Sequence, residues 1–157
     1  QSKVQKKAQK KVQKEGLKKL KELGLERFNS NVDKVILNSD NEQLSRVFFN
    51  LLKNSIESIQ EKRLININFK GKIDISLNNN SSNISFVIID NGLGFGIFEN
   101  NIRNILNPYI TTKKQGTGLG LAIVNKTIND HNGSIKFIPV ENGAKIKIDF
   151  IKWPLKY

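Results

Sequence analysis

The chain has 157 residues, enough for one sizeable core and short for two. It has no cysteine and a single histidine, His131, which excludes disulfides, thiolate metal centres and multi-histidine metal sites within it. The formal charge of +12 is uneven: residues 1–27 carry ten Lys/Arg against three Glu, a net +7, which leaves +5 for the other 130 residues. Such asymmetry suits nucleic acid, anionic lipid or an acidic partner. No aromatic residue interleaves with these lysines, however, so a solvated basic helix is the simpler reading and nucleic-acid binding is not expected. No apolar run approaches the ~20 residues of a membrane-spanning helix. The chain begins at Gln1 and lacks methionine, so it reads as a piece of a longer protein in which a membrane anchor is still possible.

In chain order, residues 3–23 have the pattern of a lysine-rich helix with a thin apolar stripe of Val4, Ala8, Val12, Leu20 and Leu23. A short strand is expected at Val32–Leu37. "SDNE" (39–42) has the form of a capping box with Ser39 as N-cap and Glu42 reaching back. The helix it opens is expected to run to about Gln60, with Leu44, Val47, Phe48, Leu51, Leu52 and Ile59 on the face packed against a sheet. Strand patterns follow at 72–77 and 84–90, joined by the polar loop "NNNSSN" (78–83). Residues 91–117 are glycine-rich and show little period, which suggests a functional lid. A second helix is expected from near Gly118 to "DHNG" (130–133), with Gly133 in the left-handed C-terminal position. Residues 134–140 and 144–153 then alternate as a hairpin about "ENG". This order predicts an α+β fold, a two-layer sandwich with helices on one face of the sheet.

Three stretches interrupt these patterns with chemistry. "GTGLGL" (116–121) is not a dinucleotide fingerprint, because its third glycine comes one residue early and no buried strand precedes it. It is not a P-loop either, since Leu121 and Ala122 stand where Lys-Ser/Thr is needed, and the catalytic loop of eukaryotic-type kinases is absent. It does put Gly118 and Gly120 at a helix start, where unpaired N–H groups attract an anion and a missing Cβ admits phosphate. In "NLLKNSIES" (50–58), Asn50, Asn54 and Glu57 share one helix face, and the Asn54 carboxamide is a suitable hard ligand for Mg²⁺. Both asparagines also suit an ordinary solvated surface. In "DNGLGFG" (90–96), Asp90 at a strand end can accept from an exocyclic amine such as that of adenine, and Gly92 and Gly94 let a base approach the backbone. The alternative there is a hairpin turn, for which the extra glycines are poorly suited.

Together with "NPYITTKK" (107–114), these stretches resemble in order and spacing the ATP-binding domain of sensor histidine kinases, a family shared with gyrase, a mismatch-repair ATPase and a heat-shock chaperone. The likeness covers roughly residues 38–151 and is nearest to the nitrogen-regulation type. It implies a Bergerat-type fold: a mixed, mostly antiparallel sheet, helices on one face and a long ATP lid. Residues 31–157 would be the catalytic domain and residues 1–30 a basic helical segment or linker to a dimerisation and phosphoacceptor domain.

The resemblance also implies roles. Asn54 would hold Mg²⁺, and Asn50 would support the metal or the phosphates. Asp90 would bind the adenine amine, with Gly92 and Gly94 shaping the pocket. Tyr109, Thr112 and Lys113 would lie along the lid, where Lys113 would neutralise charge during transfer. Gly116, Thr117, Gly118, Leu119 and Gly120 would line the triphosphate, with Lys53 as a further phosphate contact. Leu93, Tyr109 and Ser55 replace a usual proline, phenylalanine and alanine. The phosphoacceptor histidine is absent, and His131 reads as a helix-terminus residue. Asn50 stands where the ATP-hydrolysing relatives carry a glutamate base, which favours phosphoryl donation to a histidine elsewhere. A hydrolysing conformational module and a non-catalytic nucleotide-binding remnant are the alternatives. The implied cofactors are ATP and Mg²⁺, and the implied partners are a phosphoacceptor domain in a dimeric parent and a response regulator. The implied setting is cytoplasmic, with a parent protein anchored in the inner membrane.

Overall fold

The computed structural model describes residues 28–30, 39–96, 101–110 and 118–152. The basic segment 3–23 and the strand expected at 32–37 lie outside them. The described elements are β1 (Phe28–Ser30), α1 (Asn41–Ile65), β2 (Ile73–Asn79), β3 (Asn83–Asp90), a 3-10 helix (Ile102–Leu106), α2 (Gly120–Asp130), β4 (Gly133–Val140) and β5 (Gly143–Ile151).

Among the described residues the sheet has five strands in the order β1-β2-β3-β5-β4. Its β1–β2 pair is parallel and its other pairs are antiparallel. The register sets Ile75 beside Ile88 and Ile88 beside Ile146, which in turn faces Phe137. One sheet face is therefore apolar across four strands, as period-two alternation requires. The opposite face carries Ser85, Lys136, Lys147 and Asp149, with Lys147 and Asp149 paired at 3.1 Å.

Helix α1 covers the apolar face with Leu44, Val47, Leu51 and Ile59 buried, while Phe48 and Leu52 pack at the margin. The Phe48 and Phe86 rings meet at 4.5 Å between centroids. Helix α2 adds Val124 and Ile128, both fully buried. The expected two-layer α+β architecture is thus present.

Some boundaries differ. The N-cap of α1 is Asp40 rather than Ser39: its Oδ1 accepts from the N–H groups of Glu42 (2.9 Å) and Gln43 (3.0 Å). A carboxylate satisfies two orphan donors and also opposes the positive end of the helix dipole. Glu42 pairs instead with Arg46 at 2.6 Å. The helix passes Gln60 and ends at Ile65. Its last turn leaves the core, with Leu64 88% and Ile65 79% exposed, so apolar periodicity could not mark its end. Helix α2 begins at Gly120 rather than near Gly118. The left-handed residue after it is Asn132 (φ 56°), while Gly133 opens β4. A Cβ on Gly133 would lie 2.9 Å from Ile128 and Phe150, so that glycine is demanded by packing.

Candidate nucleotide-binding site

Asp90 is the last residue of β3 and is only 4% exposed. Its Oδ2 accepts from the Ser55 hydroxyl at 2.8 Å and its Oδ1 from the Gly92 N–H at 2.9 Å. A carboxylate has about four lone-pair positions, so capacity remains for a further N–H donor. Burial is the dominant influence and raises the Asp90 carboxyl above its ordinary value; Gly92, Ser55 and the nearby charge of Lys62 oppose this without cancelling it. Three residues along α1, Ser55, Ser58 and Lys62, thus face the 90–93 segment.

That segment is tightly tied. The Leu93 N–H donates to Ser58 Oγ at 2.8 Å. Lys62 Nζ donates to the Asn91 carbonyl at 2.8 Å and the Gly92 carbonyl at 3.0 Å. The Asn91 side chain donates to the Lys70 carbonyl at 3.0 Å and accepts from the Lys72 N–H at 2.7 Å. Gly92 has no room for a side chain, because a Cβ there would stand 2.3 Å from Ser58 Oγ. Gly94 has φ 76°, in the left-handed region, which suits glycine. Phe95 follows and anchors the loop end edge-on against Phe137, with ring centroids 6.0 Å apart. The stretch is therefore a loop fastened to α1 rather than a hairpin turn.

On α1, Asn50 and Asn54 are half-buried and Lys53 is exposed, 3.7 Å from Glu57. Among the described residues no group of three or more His, Cys, Asp or Glu is arranged to hold a metal. An oxygen donor such as the Asn54 carboxamide fits an ion that takes few protein ligands and fills its shell with water and phosphate.

The expected lid has structure where it is described. Its 3-10 helix buries Ile105, which attaches the middle of the 91–117 stretch to the core near α2. Tyr109 is 78% exposed with φ 65°, and its N–H donates to the Gly118 carbonyl at 3.1 Å. Gly118 (φ 68°) lies against that backbone, since a Cβ would be 2.6 Å from the Tyr109 carbonyl carbon. By contrast, a Cβ on Gly120 would meet nothing within 4 Å among the described residues. Leu119 precedes the first turn of α2 and Gly120 opens it; the N–H groups of a helix start suit an anion. Thr112, Lys113, Gly116 and Thr117 lie outside the described residues.

The structure therefore brings Asp90, Gly92 and Gly94 together as one loop and sets Gly118, Leu119 and Gly120 at a helix start. Ser58 and Lys62 are not among the expected site residues, and Ser55 is expected only as a replacement for the usual alanine. Their spacing of three and four along one helix face was the available signal.

A buried carboxylate at a strand end, a glycine loop fixed to the preceding helix and a glycine-bearing helix start stand in the order and spacing that the family likeness predicts. The chain belongs to the histidine kinase-, DNA gyrase B- and HSP90-like ATPase family, whose pattern matches residues 39–156. It is 36% identical over 127 residues to a putative sensor histidine kinase NtrY-like protein of Rickettsia felis, covering 80% of this chain and 20% of that protein. It is 38% identical over 111 residues to the nitrogen regulation protein NtrY of Azorhizobium caulinodans, covering 69% of this chain and 14% of that protein. The nucleotide-free catalytic domain of histidine kinase ThkA superposes with a TM-score of 0.74 at 26% identity, covering 91% of this chain and 89% of that one. The chain thus has the ATP-binding catalytic domain of sensor histidine kinases, nitrogen-regulation proteins among them, and spans a fifth or less of these two curated relatives' length.

Proposed function

We propose that this chain is the phosphoryl-donor part of a two-component sensor histidine kinase, binding Mg-ATP and passing the γ-phosphate to a histidine outside it. The observation that carries the reading is the buried Asp90 carboxylate, held by Ser55 and Gly92 with acceptor capacity left for the adenine amine. Gly118, Leu119 and Gly120 would line the triphosphate with Gly116 and Thr117. Tyr109, Thr112 and Lys113 would belong to the lid, and Asn50 and Lys53 would contact phosphate or support the metal. Asn54 would hold Mg²⁺, which when bound offsets the charge of the phosphates. Phosphoryl transfer needs mainly positioning and charge stabilisation, and these residues supply the donor side of both. Asn50 cannot accept a proton at neutral pH, which supports a donor that keeps ATP intact until an acceptor arrives over one that activates water.

In this reading residues 31–157 are the catalytic domain and residues 1–30 the connection to a dimeric phosphoacceptor domain, with a response regulator downstream. Among the described residues no helix is long and apolar enough to cross a membrane. A cytoplasmic position beneath a membrane-anchored parent fits the nitrogen-regulation relatives.

The test is to incubate the chain with Mg-ATP labelled at the γ-phosphate and the phosphoacceptor domain of an NtrY-type relative. Acid-labile, base-stable label on that domain is expected, and replacing its histidine should abolish it. Steady phosphate release without an acceptor would instead favour the hydrolysing module. Failure of the folded chain to bind Mg-ATP would favour the remnant.

A further inference from the structure

Lys62 lies two turns beyond Asn54 on α1, outside the motif stretches that carry the family likeness. Its ammonium group stands at the one point where two successive peptide units of the Asp90 loop converge. It binds the Asn91 and Gly92 carbonyls at 2.8 and 3.0 Å and sits 4.6 Å from the centroid of the Phe69 ring.

The planarity of the peptide bond gives these contacts a consequence. The Asn91 carbonyl and the Gly92 N–H belong to one rigid unit, and that N–H donates to Asp90 Oδ1 at 2.9 Å. The Gly92 carbonyl and the Leu93 N–H belong to the next unit, and that N–H donates to Ser58 Oγ at 2.8 Å. Each plane is therefore pinned at both ends, and Lys62 supplies one pin of each. Two neighbouring carbonyls turned to the same side repel one another through their dipoles, and a cation between them reverses that sign. Glycine at position 92 lets these planes turn more easily than a residue with a Cβ would, so the pins matter. Phe69 adds a cation–π contact that holds the ammonium in place.

We infer that Lys62 is a positioning residue for base recognition: by fixing the Asn91–Gly92 backbone it aims the Gly92 N–H at Asp90 and so orients the Asp90 carboxylate toward the amine of the base. The inference rests on the assignment of Asp90 to adenine. Lys62 Nζ donates to the Asn91 and Gly92 carbonyls and so acts through the loop. Its aliphatic stem is matched by methionine, so Lys62→Met removes the charge and donors while keeping most of the packing.

The test has a nucleotide-free arm and a binding arm. In the nucleotide-free protein, amide hydrogen exchange at Gly92 and Leu93 should accelerate in Lys62→Met by about tenfold or more, with protection in β3 and β5 unchanged. In calorimetric titrations, Lys62→Met should weaken Mg-ATP about tenfold while leaving Mg-GTP nearly unaltered, as expected for a lost charge-assisted pair acting on one base. Lys62→Arg, which restores charge and donors, should recover most of the ATP preference. Equal losses for ATP and GTP, or general loss of exchange protection, would show a merely structural lysine and overturn the inference. Should Lys62→Met not fold, Lys62→Gln takes its place with the same expectations. Asp90→Asn serves as the control for the underlying assignment. If it leaves the ATP preference intact, the adenine reading fails. If it abolishes the preference while Lys62→Met does not, the role of Lys62 alone fails.

Discussion

His131 Nε2 accepts a hydrogen bond from the Asp40 backbone N–H at 3.1 Å, across 91 positions of sequence. Its Nδ1 lies 2.7 Å from the Thr127 carbonyl, so the neutral ring with the proton on Nδ1 satisfies both contacts. The ring joins the end of α2 to the start of α1. It takes the N–H that a capping box would leave to the residue three positions on, while Gln43 Nε2 donates to the Asp40 carboxylate at 3.0 Å instead. Replacing His131 by alanine is expected to cost about 1–2 kcal/mol, the worth of a cap and its partner. Thermal denaturation should record a fall of about 2–4 °C for each kcal/mol lost. An unchanged midpoint would show that solvent replaces the ring without loss.

Asp90→Asn should separate stability from binding. Because burial raises the Asp90 carboxyl in the folded state, the folded protein holds that proton more tightly than the unfolded chain does. The linked stability is therefore fully present below the ordinary carboxylate range, about pH 4, and is lost as pH rises through the raised folded value. At neutral pH the variant should melt at or above the wild-type temperature, and the advantage should shrink as pH falls through that window. Its affinity for ATP should nevertheless drop about tenfold to a hundredfold. Parallel melting curves over pH 3–8 and calorimetric titrations check both halves.

Gly118→Ala and Gly120→Ala should behave oppositely although the positions are two apart. At Gly118 the added carbon meets Tyr109 and Ile110 backbone at 2.6–2.7 Å with φ 68°, so a loss of about 1–3 kcal/mol is expected. At Gly120 the carbon meets no described residue within 4 Å at a helix start. Stability there should hold or rise by up to about 1 kcal/mol, while ATP affinity should fall about tenfold if, as proposed, phosphate lies on this backbone. Denaturant titration alongside nucleotide binding distinguishes the two.

Asn54→Ala is expected to remove most of the dependence of ATP binding on Mg²⁺. Wild-type affinity should fall about tenfold when EDTA is added, whereas the variant should bind weakly and alike with or without the ion. A variant as responsive to EDTA as the wild type would move the metal away from Asn54.

Much of this was legible in the sequence because it follows from local rules. Leu44, Val47, Leu51 and Ile59 announced their helix face by spacing, and the Ile88, Ile146 and Phe137 positions announced theirs by alternation. The Asp90 loop was legible because glycines without a facing strand are unusual. What escaped depended on contacts between distant segments. Asp40 rather than Ser39 caps α1, and the Asp40 N–H is taken up by His131 from 91 positions away. Gly133 is fixed by Ile128 and Phe150 rather than by its own torsions. Lys62 and Ser58 read as ordinary helix surface until the loop they hold is seen. Helix α1 outruns its apolar stripe, so nothing periodic marked Ile65.

The position of β5 bears on how the protein is made. Residues 143–151 fill the gap between β3 and β4, and a Cβ on Gly143 would stand 1.8 Å from the Asp90 carbonyl oxygen. On the ribosome β3 must therefore wait, one edge open, through more than fifty further residues of synthesis before its neighbour exists. A nascent chain halted before Gly143 has every glycine motif but lacks the strand against which Asp90 is set. Nucleotide competence should thus appear abruptly and late in translation, and any delay there exposes an unpaired strand edge to aggregation.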